Sequence, residues 1–138
     1  MFTSDDDAGD GATIQVDPAR RLAVITWSPG VPVFNPWMTT MERLLSRPEF
    51  KPEFAVISDW RGATGSPDQT FVDAFLVFCQ SIRRGRRLTG RWATVISADA
   101  MEPSGLGRTA ELQATEAGSN YRVFNDLDEA LAWARGDR

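Results

Sequence analysis

The residues of this chain best suited to chemistry lie between Asp59 and Arg108. Asp59, Arg61, Ser66, Asp68, Ser97 and Arg108 bring together carboxylates, guanidiniums and hydroxyls. Guanidiniums grip carboxylate or phosphate oxygens through paired N–H donors. Ser66 opens the run Ser66-Pro67-Asp68-Gln69, in which a serine cap, a proline at the first helical position and a glutamine at the third mark a helix start. The free N–H groups of a helix start favour negative charge, so the set suits a bound phosphate or carboxylate, or a phosphate carried by Ser66 itself. The same residues also have a plainer use. Ser66 can be a cap contributing about 1 kcal/mol, and Asp59 can pair with a nearby arginine.

What the chain lacks narrows the chemistry further. It has no histidine and one cysteine, Cys79. That removes the usual general base, the Ser–His and Cys–His nucleophile pairs and the commonest metal ligand. A lone thiol forms neither an intrachain disulfide nor a thiolate metal cluster. Cys79 shares an apolar stripe with Phe75 and Ile82, which marks it as a packed core thiol. An enzyme would need a carboxylate pair such as Asp59 with Asp99 or Glu102, and no spacing calls for one. The expectation is a non-enzymatic protein with no catalytic residue, no metal site and no cofactor. Gly105-Leu106-Gly107 lacks the spacing of a phosphate-cradling loop and is expected to be a helix-start turn.

The net charge of −4 disfavours nucleic acid as a partner. Arg83, Arg84, Arg86, Arg87 and Arg91 are expected to be solvated charge complementing a helix C-terminus. Lys51 is the only lysine, so arginine is the general cation here. No stretch approaches the roughly 18 apolar residues of a transmembrane helix. The acidic, glycine-containing Met1–Gly11 is unlike a signal peptide, and a cytoplasmic location is expected.

These residues need a frame. Phe54–Asp59 is an apolar run without alternation, as in a strand covered on both faces of a parallel sheet. In the helix after Ser66, the apolar residues Phe71, Val72, Phe75, Leu76, Phe78, Cys79 and Ile82 fall within about 160° of arc. Thr13–Val16 and Leu22–Trp27 form a hairpin across Asp17-Pro18-Ala19-Arg20. Asn35-Pro36 starts a helix with Trp37, Met38, Met41, Leu44 and Leu45 on one stripe. Trp92–Ser97 and Tyr121–Phe124 are further strands, and Leu106–Ala117 is a helix stopped at Gly118. Asp126 and Glu129 form a capping box for a last helix that turns Ala130, Leu131 and Ala134 inward and ends at Gly136. Residues 1–12, with Asp5, Asp6, Asp7 and Asp10, are expected to be a disordered acidic tail.

The expected fold is α/β, one domain over 13–135. It has a five-stranded mixed sheet in the order β-β-α-β-α-β-α-β-α, parallel in its second half. Asp59 and Ser97 then end neighbouring or near-neighbouring strands on one rim, with Arg61, Ser66 and Arg108 on loops above it. Open α/β sheets bind ligands at such a rim. Phe34, Trp37 and Trp60 fall on or beside loops. They suit an apolar pocket or a homodimer interface, and equally suit coverage of the sheet edge.

With these elements the chain resembles the SpoIIAA-like family, the STAS-like group that includes anti-sigma factor antagonists. In general fold that family is also similar to SEC14-type lipid-binding domains. The resemblance covers roughly Thr13 to Ala134. It rests on the element order, on the strand ending in Asp59, and on Ser104-Gly105-Leu106-Gly107-Arg108 opening a helix. Its most specific part is the closing run Val123-Phe124-Asn125-Asp126-Leu127-Asp128-Glu129-Ala130-Leu131-Ala132-Trp133. It implies a small regulatory or binding module that works through a protein partner or small ligand. A SEC14-like carrier of an apolar or lipid-like ligand, with the Phe71–Ile82 helix face closing a pocket, is the alternative it implies. Family antagonists are phosphorylated on a serine at the helix start within an Asp-Ser-Ser-Gly-type motif. Ser66 occupies that position, with Pro67 and Asp68 in place of the second serine and the glycine.

Overall fold

The computed structural model describes residues 3–5, 12–27, 34–62, 69–97 and 121–136. Six strands form one sheet: β1 (Thr3–Asp5), β2 (Ala12–Asp17), β3 (Leu22–Trp27), β4 (Ala55–Asp59), β5 (Trp92–Val95) and β6 (Tyr121–Phe124). Three helices are described: α1 (Phe34–Leu45), α2 (Gln69–Arg84) and α3 (Leu127–Ala134). Strand order in the sheet follows chain order from β1 to β6. β2 runs antiparallel to both its neighbours, β1 and β3, and β3 through β6 are parallel. The α/β class and the mixed sheet are as the sequence predicts.

Three expectations change. The sheet has six strands instead of five, because Thr3–Asp5, placed by sequence in an acidic tail, pairs with Ile14–Val16. β2 would otherwise present an unpaired edge, and an added strand satisfies that backbone whatever its side chains. Second, α1 begins at Phe34, not after Asn35. Pro36 is then its third residue, still in the first turn, where its missing N–H has no intrahelical acceptor to lose. Third, Trp133 of α3 is buried beside Ala130 and Ala134 and belongs with the inward set. The helix expected over Leu106–Ala117 and the cap at Ser66 lie outside the described residues.

The hairpin forms where its turn chemistry places it. The Arg20 and Arg21 N–H groups donate to the carbonyls of Asp17 and Pro18, both at 3.2 Å. Arg21 closes the turn at φ 57. β4 and β5 are buried along their whole length because helices cover both faces. On one face, Ile25, Val56, Trp92 and Tyr121 meet Trp37, Met41 and Leu44 of α1 and Phe71, Phe75, Cys79 and Ile82 of α2. On the other, Leu22, Ile57, Ala93, Val95 and Phe124 meet Ala130, Trp133 and Ala134 of α3. Each large side chain fully removed from water in this way contributes about 1.5–3 kcal/mol. Trp37 is the hub of the α1–α2 contact, with ring centroids 4.8 Å from Phe75 and 5.3 Å from Phe78.

Two buried polar pairs lie beneath α2. Trp92 Nε1 donates to Ser58 Oγ at 3.1 Å, and the Tyr121 hydroxyl donates to Thr94 Oγ1 at 2.6 Å. The approach to β5 is fixed at Gly90, where an added Cβ would collide with the backbone carbonyls of Glu53 and Phe54. Only glycine lets the two segments lie that close.

Candidate functional site

Because β3 to β6 run parallel, their carboxyl ends, at Trp27, Asp59, Val95 and Phe124, line up along one rim. Asp59 is the last residue of β4 and is 6% exposed on the α3 side of the sheet. Its carboxylate is held by the residue two positions on. Oδ1 accepts from the Arg61 backbone N–H at 3.1 Å and from Arg61 Nε at 2.9 Å, and Oδ2 accepts from Nη2 at 2.8 Å. The side-chain part is a two-pronged fork, the strong geometry for a guanidinium on a carboxylate.

The start of α3 faces this pair. Asp126 is the cap of α3, in extended conformation at φ −139, and its Oδ1 accepts from the Glu129 N–H at 3.0 Å. Asp128 stands in the first turn, where negative charge complements the helix dipole. Hydrogen bonding to Asp59 raises the Arg61 guanidinium's hold on its proton, and the charges of Asp126 and Asp128 act the same way from further off. The described part of the rim is therefore acidic, built around the Arg61 guanidinium. Sequence reasoning placed Asp126 and Glu129 as a cap but did not place that cap beside Arg61. The missing signal was which face of the sheet α3 covers.

The structure brings Asp59, Arg61 and Ser97 to one rim, as expected. Ser97 lies two residues beyond Val95, the register partner of Asp59, and the intervening Ile96 N–H donates to the Phe124 carbonyl at 2.9 Å. Ser66, Asp68 and Arg108 lie outside the described residues. Arg61 was expected to offer its guanidinium to an external anion. The other use left open for it, a partner for Asp59, is the one the structure shows, with two further aspartates close by.

Of the two readings left open for the aromatics, burial decides against the pocket or interface for two of the three residues. Trp37 is 1% exposed and Trp60 7% exposed, so both fill this domain's own core and neither lines an interface. Trp60 stacks on Trp27 with centroids 4.5 Å apart and planes 12° from parallel, capping the α1–α2 core at the rim. Its N–H also continues the ladder, donating to the Val95 carbonyl at 2.7 Å. Trp27 was read only as a strand end. Its pairing with Trp60 becomes visible once the β3–β4 register is known. Phe34 is the first residue of α1.

Cys79 is buried as expected, and burial pushes its thiol well above the ordinary value against the weaker pull of the Arg83 charge. Two arginines of the basic run are structural. Arg87 forks Glu42 of α1 at 2.6 and 3.2 Å, and Arg91 Nη1 donates to the Trp133 carbonyl at 2.5 Å with its guanidinium over the Trp133 ring. Among the described residues, no group of three or more histidines, cysteines or carboxylates could hold a metal ion, and no helix is long and apolar enough to cross a membrane. Comparison of the chain with protein-family models, curated proteins and solved structures returned no match.

Proposed function

We propose that the chain is a small non-enzymatic recognition module of the SpoIIAA-like, STAS-like type, and that it meets a protein partner through the carboxyl rim around Arg61. The observation that carries this is the Asp59–Arg61 fork facing Asp126 and Asp128. It is a rigid acidic surface at the end of parallel strands, where open α/β sheets present their ligand sites. A hairpin followed by parallel strands laid side by side, with α1 and α2 in the first two crossovers, is what supports the family reading. The rim's polar groups are engaged in holding shape. Asp59 accepts three hydrogen bonds from Arg61, and Asp126 caps α3. Such a surface suits a partner that presents basic or N–H donor groups. In the same proposal Ser66 is the position where a partner kinase would add phosphate, and the added charge would strengthen the rim's acidity. The apolar stripe of α2, which a lipid carrier would use to close a pocket, packs against Trp37 and the sheet.

Asp128→Lys tests the proposal, because Asp128 is exposed and its change leaves the Asp59–Arg61 fork in place. Protein captured from the native cell by the immobilised wild-type chain is expected to be lost with this variant, while thermal unfolding stays within a few degrees. Equal capture by both chains removes the rim from the interaction. An apolar ligand copurifying in native mass spectrometry returns the carrier alternative.

A further inference from the structure

The outer face of α2 carries a pattern that neither the core nor the rim uses. At 100° per residue, Thr70, Asp73, Ala74, Val77, Ser81 and Arg84 share one side of the helix, opposite the buried stripe of Phe71, Phe75, Cys79 and Ile82. Val77 is 65% exposed, the exposed large hydrophobic residue among the described positions. A groove of about 650 Å³ runs past it, lined by Thr70, Asp73, Ala74, Val77, Phe78 and Ser81. Ala74 and Ser81, on either side of Val77, are small enough to let another helix approach closely.

We propose that a second copy of the chain docks on this face, with α2 lying antiparallel on its counterpart about a two-fold axis at Val77. The charges select that orientation. Asp73 stands near the N-terminal end of the stripe and Arg84 at the C-terminal end. Parallel pairing would set Asp73 against Asp73 and Arg84 against Arg84. Antiparallel pairing about Val77 sets position 73 opposite position 81 of the other copy, so Arg84 lies about 4.5 Å further along the axis, within reach of its long side chain. The symmetry makes that contact twice. One Asp73 oxygen accepts from the Gln69 side chain at 2.8 Å, and Arg84 has no carboxylate partner among the described residues. Both charges are thus available to a second copy.

A contact through one helix of about four turns falls below the roughly 1,200 Å² of a stable interface, so the dimer is weak and depends on concentration. It is isologous and closes on itself. It also leaves the carboxyl rim uncovered, so it stands apart from the function proposed above.

Sedimentation velocity of the full chain over about 10 µM to 1 mM decides the matter. The wild type is expected to shift from monomer toward dimer across that range. Val77→Glu places a charge at the axis of the pair and is expected to weaken association by about tenfold or more. Asp73→Arg is expected to weaken it as well, and Asp73→Arg combined with Arg84→Asp to restore it. Circular dichroism of each variant separates loss of association from loss of fold. A wild-type chain that stays monomeric at the highest concentration overturns the proposal and leaves the groove to another occupant. Association that survives Val77→Glu in a folded chain overturns it too, because the contact then lies elsewhere.

Discussion

At 6% exposure the Asp59 carboxylate depends on Arg61 for its three N–H donors. Removing the guanidinium would leave an ionised group almost out of water with one backbone donor. Arg61→Ala is expected to lower stability by about 1–3 kcal/mol, the cost of a buried acceptor stripped of its partner. Arg61→Lys keeps the charge and loses the fork, and is expected to recover part of that loss. Urea denaturation midpoints of both variants measure it, and equal midpoints for wild type and Arg61→Ala would show that water replaces the guanidinium. This pair was legible in the sequence because its members are two residues apart at the end of an apolar run. The approach of Asp126 and Asp128 to Arg61 was not, since those residues are separated by more than half a domain's worth of chain and meet only through the crossover that puts α3 on the second face. For Trp37 and Trp60 the choice between an interface and the domain's own core stayed open for a related reason. Position beside a loop says nothing about burial until the neighbouring helix or strand is known.

At the scale of the elements, caps and apolar runs carried most of the information. Asp126 is the cap the sequence announced, and its contribution can be isolated. Asp126→Ala is expected to destabilise the fold by about 0.5–2 kcal/mol by leaving the Glu129 N–H without its acceptor. Denaturant midpoints check it, and an unchanged midpoint would mean that solvent caps α3 equally well. β2 through β6 were readable because each is a short apolar or alternating run bounded by turn residues. β1 was unreadable because Thr3-Ser4-Asp5 has no such pattern, although it pairs with Ile14–Val16. The side-by-side order of strands was equally hidden, since nothing in a strand's own sequence names its neighbour.

At the scale of the whole molecule, the parallel strands sort charge by direction. Arg20 and Arg21 precede β3, Arg91 precedes β5, and Arg83 and Arg84 end α2, so these cations gather at the amino edge of the sheet. Asp59, Asp126 and Asp128 gather at the carboxyl edge. Asp17 and Glu53 pair with Arg20 and Arg21 at the amino edge and Arg61 pairs with Asp59 at the carboxyl edge, so among the described residues the polarity is what these ion pairs leave over. The strand order has a different consequence, in time. Every strand from β2 onward lies against the one made just before it, so no strand waits for a later one to complete its inner edge. Contacts between sequence neighbours close small loops and form fast. The sheet can therefore grow in the direction of translation, each new strand finding its template already emerged from the ribosome. A chain halted after α2 is expected to protect the β3–β4 amides from hydrogen exchange before β5 exists. If that protection appears only once β6 is present, the sheet forms in one cooperative step, whatever the order of synthesis.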